Sequence, residues 1–477
     1  MLEKQIRIGF CLFACCLLAL LCAFLLLRSV DMAVALAVIA VVFTLLFVEP
    51  FVGLICFVLF LFTRPQEFIP GLKGLPLMLI VGSAVFASIF VRQGLQARRA
   101  PVLLRLPQDY FLLWFFVAIV ISHLAHLDVP SALSAVKEFA VVIVLYYLVR
   151  NLVISESRLR IFMTVLVLSC VLLAVTGLVQ HFTGRPLKEY VDPNRLADVM
   201  NHGRVIALGA TEDPNILGLT LLVVLPFQLL ELRRSRSLLF RASLVVSIIV
   251  IVGTIYMTNS RGAMFGMGSL ATYLVIRRYG MVRGLALGAL IFVAMVVLGP
   301  SRMKELSPGE PSASLRISLW EAGLNSFRSH PLFGIGCYAW SKDTGIMIPH
   351  SAFIHCAAEL GIFGLLPWVL LIYVAMKHTK HVAAHATGGP ENHLGLYSDA
   401  IFCAFLAYVV TSVFQSVSYY YVLFMLIGLS GSVASVFEKS GGDSFRLFEK
   451  RDFLFSVLIA VVGLVFFSGF VRIFGGR

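Results

Sequence analysis

Apolar runs of about 17–21 residues recur from one end of the chain to the other, separated by short polar or basic connections. Each is long enough to cross roughly 30 Å of hydrocarbon as a helix rising about 1.5 Å per residue. Up to fifteen fit, at 8–27, 31–48, 51–63, 76–91, 110–126, 136–150, 160–180, 214–231, 242–258, 262–276, 284–299, 353–376, 398–415, 420–437 and 453–473. The runs at 51–63 and 136–150 are short and read equally well as re-entrant or interfacial helices. The pattern predicts an all-α, polytopic helical membrane protein with about 12–15 transmembrane helices. The first run follows basic residues, as in a signal peptide. No small-residue cleavage site follows and the next run begins at once, so it reads as a retained helix.

Composition agrees. Of 477 residues, 60% are hydrophobic and 13% charged, with a mean hydropathy of +0.95; soluble domains are about half apolar and about a quarter charged. The net charge of +13 follows topology. With the N-terminus inside, the interior segments are 1–7, 49–50, 92–109, 151–159, 232–241, 277–283, 377–397 and 438–452, and together with the boundary residues Arg150 and Arg160 they account for 22 of the 38 Lys and Arg. Nine of the other 16 lie in two long outer loops, 181–213 and 300–350. The charge therefore points to orientation and anionic lipid, not nucleic acid. Eight of the nine cysteines sit in apolar runs; Cys337 alone lies in an outer loop, which so has no internal disulfide. The chain shows no P-loop, no GxGxxG after a strand, no inverted repeat and no soluble catalytic domain. Chemistry must come from the two outer loops and the helix ends that frame them. The chain divides into N-terminal membrane helices (1–180), a region carrying both loops (181–376) and C-terminal membrane helices (377–477).

The first loop, "HFTGRPLKEYVDPNRLADVMNHGRVIALGATEDPN", is polar and punctuated by Gly, Pro and Asn. The second contains "SASLRISLWEAGLNSFRSHPLFGIG". Ser312 or Ser314 can cap a helix there, Leu315, Leu319, Ala322 and Leu324 give it an apolar stripe, and Arg316 and Trp320 share a face. The helix should stop at Ser329–His330, ahead of Pro331, with Gly334 and Gly336 permitting a tight turn. This predicts an amphipathic helix on the outer membrane surface, either as part of a site or simply closing the loop.

Two further stretches stand out. In "TNSRGAMFGMGSLATYLV", Ser260 can cap a helix that Arg261 opens, and Gly262, Gly266 and Gly268 allow close approach. An arginine at the positive end of a helix wants an anionic partner; the plainer reading is an arginine snorkelling to the headgroups. In "IMIPHSAFIHCAAELG", His350, His355 and Glu359 enter an apolar run with no Lys or Arg beside them. Ser351 can cap that helix. His350 at its start is biased toward the neutral imidazole, the form a general base needs, although it can equally be an interfacial anchor. His355 and Glu359 read as packed structural groups. "KHTKHVAAH" places His378, His381 and His385 near helical spacing but on the predicted cytoplasmic side, and reads as a basic interfacial turn rather than a metal site.

"TNSRGA", "LRISLWEAGLNSFRSHPLFGIG" and "PHSAFIHCAAELGIFGLLPWVLL", in that order, resemble the signature region of the O-antigen ligase and Wzy-type polymerase superfamily over roughly residues 200–375. "RPQEFIPGLKGLPL" and "TEDPNILGLTLLVVLPF" are similar to members associated with exosortase-type systems. Ser351 departs from the Asn that many members carry, which leaves acceptor preference open. The resemblance implies a GT-C-like fold in the bacterial inner membrane, with the N-terminus cytoplasmic and the large loop and active face periplasmic. It implies glycan transfer from undecaprenyl pyrophosphate to an acceptor hydroxyl on a glycan, lipid or protein, without metal or other cofactor. His350 would then be the base, with Arg261 and Arg316 holding the pyrophosphate. Arg204, Trp320 and His330 join as substrate-binding candidates, although His330 by its position reads first as structural. Ligase and polymerase share the donor and are not separated by these motifs. A lipid-linked glycan transporter is the rival from another class; it would want mid-membrane polar residues and repeated halves.

The orientation predicts that, in a background lacking the other cysteines, an impermeant thiol reagent reaches Cys337 in intact spheroplasts. A cysteine introduced at Arg236 should stay protected; labelling there would reverse the orientation.

Overall fold

The computed structural model describes residues 49–65, 76–95, 104–184, 203–207, 213–298, 311–340, 347–386, 393–442 and 448–475. Among them are fourteen helices and no strand. In order these are α1 (Pro50–Thr63), α2 (Leu77–Leu95), α3 (Pro107–Leu124), α4 (Val129–Leu152), α5 (Glu156–Thr183), α6 (Pro214–Arg234) and α7 (Leu238–Met257). Then follow α8 (Arg261–Tyr279), α9 (Met281–Leu298), α10 (Pro311–Ser329), α11 (Ala352–His385), α12 (Leu394–Ser412), α13 (Tyr421–Lys439) and α14 (Lys450–Phe474). Nine of them, α3–α7 and α11–α14, are long and apolar enough to cross a membrane. The chain is a polytopic helical membrane protein. The expected runs 8–27 and 31–48 lie outside the described residues.

The run at 136–150 is not the short element its apolar length suggested. Helix α4 covers 24 residues. Asp128 caps it by accepting the Ser131 amide at 3.0 Å, and Lys137 and Glu138 ride on its exposed face, where charge does not interrupt a helix. Helix α1 does stay short, at 14 residues. Helix α8 is 19 residues long, but its glycines, Ser269, Arg277 and Arg278 dilute the apolar stretch, so it is not among the nine.

Helix α13 is the centre of the bundle: 89% of its apolar window is buried, against 22% for α7 and α14 at the rim. Small residues let neighbours approach it, as expected where apolar surface alone cannot drive association in lipid. A Cβ on Gly428 would stand 3.1 Å from the Tyr146 carbonyl of α4, and one on Gly431 2.5 Å from the Gln108 amide of α3. At the same end Asp109 and Arg150 form a buried ion pair at 2.9 Å. Tyr146 and the Arg105 and Leu106 amides also donate to Asp109, so neither charge is buried unpaired.

Helix α11 is broken at Gly361 (φ 61°, ψ −163°). The break strands backbone groups that a helix would satisfy itself. The segment 331–336 meets them. The Ile335 and Gly336 amides donate to the Ala358 and Glu359 carbonyls at 3.1 and 3.0 Å, and the Ile362 and Phe363 amides donate to Pro331 and Leu332 at 2.9 and 3.1 Å. The fully buried Glu359 carboxylate accepts the Tyr338 and Trp340 amides at 3.0 and 3.1 Å and faces His355 Nε2 at 3.3 Å. From the other side the end of α3 holds the same strap. His123 Nε2 bonds Cys337 O and His126 Nε2 bonds Gly334 O, both at 2.8 Å, and the Cys337 amide donates to Ser122 Oγ at 3.1 Å. Cys337 is thus buried, not the accessible thiol its loop position suggested; Arg328→Cys, on the exposed end of α10, suits the topology test instead.

Helix α10 ends at Ser329, as the Pro331 signal required. Its start differs: Pro311 opens the helix, so Ser312 and Ser314 are internal. Its stripe is also rotated. Leu315 is 44% exposed, while Ile317, Leu319, Trp320 and Leu324 are buried. The apolar face packs on protein: Trp320 meets Phe467 and Phe470 of α14 edge-on at 5.1 and 5.6 Å, and Gly323 lies so close to α11 that a Cβ would stand 2.4 Å from Ile354.

Gly334→Ala and Gly361→Ala should each destabilise the purified protein strongly in a detergent melt. Both glycines have positive φ, worth of order 1–3 kcal/mol to another residue, and each added methyl would lie 2.2–2.4 Å from backbone atoms across the strap. Gly441→Ala, with φ 81° but open space, should cost less. A wild-type melt for Gly334→Ala would show that the strap does not brace the break.

Candidate active site

Three helix N-termini define the polar end that the strap supports. Asp213 caps α6 by accepting the Asn215 amide at 2.7 Å, with Pro214 pre-set at the first position. Asn259 takes a positive φ of 53°, and Ser260 then caps α8 by accepting the Ala263 amide at 3.3 Å. Gly218 brings the two starts together: a Cβ there would stand 2.9 Å from Ala263. Arg204, from the first outer loop, joins them. Its Nε donates to the Thr258 carbonyl and its Nη2 to Asn215 Oδ1, both at 2.9 Å. Arg261 opens α8 just past this stitch and is largely buried, at 9% exposure.

The third start is α11. Ser351 is the N-cap residue but its hydroxyl makes no cap bond, contrary to the role the sequence offered it. His350 precedes it at φ 51°, a backbone conformation that few non-glycine residues adopt. The ring is half-buried. Burial holds its proton affinity below that of a free histidine. The nearby Arg316 guanidinium lowers it further, with Arg204 adding in the same direction and Asp213 opposing them. The helix N-terminus also disfavours imidazolium. His350 is therefore neutral near pH 7, with a free-base nitrogen to offer.

His350 thus lies in the fields of Arg316, Arg204 and Asp213, which come from three other segments, and Arg204 is tied to the turn that precedes Arg261. Trp320 and His330 stand elsewhere. Trp320 anchors α10 to α14, and His330 sits edge-on to His126 at 5.1 Å. His381 and His385 stack ring on ring at 4.1 Å. The sequence reading passed over Asp213, Asn215 and Thr258. The signal for the first two was present, since Asp-Pro-Asn is an N-cap signature; nothing marked Thr258, which acts through its backbone carbonyl. Chemically, forked cations beside helix N-termini suit a phosphate or pyrophosphate, and a neutral imidazole beside them suits removal of a proton from a hydroxyl.

Residues 246–369 match the family model for the O-antigen ligase. The match runs from within α7 into α11 and includes Arg261, Arg316, Trp320, His330 and His350, while Arg204 and Asp213 lie outside it. It supports the O-antigen ligase/Wzy superfamily and glycan transfer of the ligase or polymerase type. No curated protein matches the chain.

Nuclear magnetic resonance of ring-labelled histidine, with His350→Gln to assign the signal, should give a His350 midpoint below 6.5. Arg316→Gln should raise it by removing a neighbouring positive charge. Asp213→Asn, which keeps an oxygen for the cap, should lower it further. A wild-type midpoint at or above 6.5 would contradict the arrangement.

Proposed function

We propose that this protein transfers a glycan from undecaprenyl pyrophosphate to an acceptor hydroxyl at the periplasmic face of the bacterial inner membrane. The observation that carries the reading is a neutral His350 lying in the fields of Arg204 and Arg316 among the starts of three helices. A polyprenyl pyrophosphate is amphipathic and anionic, and would present its phosphates at such a boundary.

In this scheme the acceptor oxygen attacks the anomeric carbon of the donor sugar while the bond from that carbon to the phosphate oxygen breaks. The electron pair leaves with the lipid pyrophosphate, and the acceptor proton passes to the free nitrogen of His350. Charge grows on the departing phosphate, so cations fixed beside it favour the transition state over the ground state. Arg261 and Arg316 take that role, and Arg204, already tied to Thr258 and Asn215, braces the helix starts and adds its charge. Trp320 keeps α10, and with it Arg316, seated on α14. Ligase and polymerase differ here only in the acceptor, and the product of a reconstituted reaction, a single addition or a ladder, tells them apart.

With purified protein in detergent, where sidedness is lost, His350→Ala should lower the turnover rate by about 10²–10⁴-fold with little change in donor binding. His355→Ala, which removes contacts with Glu359, Ser418 and Tyr419 rather than with the arginines, should be mild. Arg261→Lys and Arg316→Lys should each impair transfer by ~1–3 kcal/mol although charge is retained, because lysine lacks the planar fork. The acid limb of kcat/KM should fall below pH 6.5, and that of kcat at higher pH, since a bound pyrophosphate offsets the arginines that depress His350. Near wild-type transfer by a folded His350→Ala protein would remove the base; no transfer by the purified wild type under these conditions would favour a transporter.

A further inference from the structure

One polar cavity is left unused by this scheme. It encloses about 510 Å³ between the turn joining α3 to α4 and the strap that follows α10, and its lining includes His126, Asp128, Ser131, Ser134, Glu138 and His330. That volume falls within the roughly 300–1,000 Å³ of ligand pockets. Among the described residues no Lys or Arg lines it, so it lacks the cations a phosphate would want. Nor does it resemble the groove of similar size between α11, α12 and α14, whose walls are mostly apolar. Imidazoles and hydroxyls both donate to and accept from hydroxyl groups, and carboxylates accept from them. That lining suits an uncharged saccharide.

The cavity is also built rather than loose. One wall is the strap, pinned by His123 on Cys337 O and His126 on Gly334 O, so little order would have to be imposed on binding. Its distance from the chemistry is informative. Arg316 and Ser329 lie thirteen residues apart on α10, a rise of roughly 20 Å. That is too far for the reacting sugar and suitable for sugars further along a chain.

We propose that this cavity is a glycan subsite, holding sugar residues several units from the bond being made; it rests on the glycan-transfer reading above. Those sugars belong either to the donor glycan or to the acceptor. Ser134 and Glu138 lie on the exposed face of α4, so Ser134→Trp fills the cavity and Glu138→Leu removes a rim carboxylate without disturbing the core. Saturation-transfer nuclear magnetic resonance on the purified full chain would measure binding of two probes from the producing cells: the saccharide released by mild acid from the lipid-linked pool, and the delipidated surface polysaccharide. Sugar-free undecaprenyl pyrophosphate serves as control. Both variants should bind one saccharide about tenfold more weakly and the control lipid as wild type does. Loss for the released saccharide assigns the cavity to the donor chain, and loss for the surface polysaccharide assigns it to the acceptor. No saccharide binding by the wild type, or equal binding in the variants, overturns the subsite. Failure of the wild type to bind the sugar-free lipid instead strikes at the transfer reading, which the variants do not test.

Discussion

The break in α11 at Gly361 is the constraint on which the polar end depends. A helix interrupted inside apolar surroundings leaves amides and carbonyls that cost of order 1–3 kcal/mol each when unmet. Four backbone bonds from residues 331–336 meet them, and they require that His330-Pro331-Leu332-Phe333-Gly334 lie flat against the break. Gly334 and Gly361 are glycines because each stands over the other segment's backbone with no room for a methyl. Glu359, two residues before the break, turns a local interruption into a wider brace: its two oxygens take the Tyr338 and Trp340 amides. The Trp340 indole then donates to Met347 O at 2.9 Å, returning the chain toward His350. A buried carboxylate with these partners is a structural hub, and its presence in an apolar run needs no catalytic explanation.

The electrostatics at the helix starts are arranged the opposite way. There positive charge is concentrated: three N-termini, Arg204, Arg261 and Arg316, with Asp213 as the acid whose field reaches His350. Such a field is unfavourable to the empty protein and favourable to a bound anion. It also lowers the proton affinity of His350, the imidazole within it among the described residues. Burial alone would leave His350 neutral; the arginines make it more so, and an arriving anion relaxes the effect. The same charges that would hold a pyrophosphate therefore keep the imidazole ready to accept a proton.

Much of this was legible in the chain. Apolar run length located every described membrane helix, the proline after His330 ended α10, and the spacing of Arg261, Arg316 and His350 along quoted motifs marked the polar end. What escaped depended on tertiary partners. Helix α4 reads as short because its apolar run covers only 136–150, yet the helix begins at Val129 and carries Lys137 and Glu138 on an exposed face. Cys337 reads as accessible because its loop is polar, yet that loop is folded onto α3. Ser351 stands where a cap belongs but makes no cap bond. The α10 stripe is displaced from Leu315 to Ile317 because α11 and α14, rather than lipid alone, receive its apolar face. In each case the local rule was sound and a packing partner decided the outcome.

Gly323 shows how the two halves of the polar end are tied together. Arg316 and His350 are 34 positions apart in sequence (350 − 316), and the segment between them folds away to brace the α11 break. Among the described residues that connection braces the break but does not tie Arg316 to His350 directly. The direct crossing of α10 over the first turn of α11 does: a Cβ on Gly323 would stand 2.4 Å from Ile354 and 3.6 Å from Pro349. Arg316 lies seven residues, or roughly 10 Å, up α10 from that crossing, and Pro349 is the residue before His350. The cation and the imidazole are therefore held at a set distance through one small residue and two apolar side chains. Trp320, buried against α14, prevents α10 from rolling about the crossing. Positioning here comes from helix packing that contains no polar group, which is why the motif that carries the chemistry is interleaved with residues that serve only to pack.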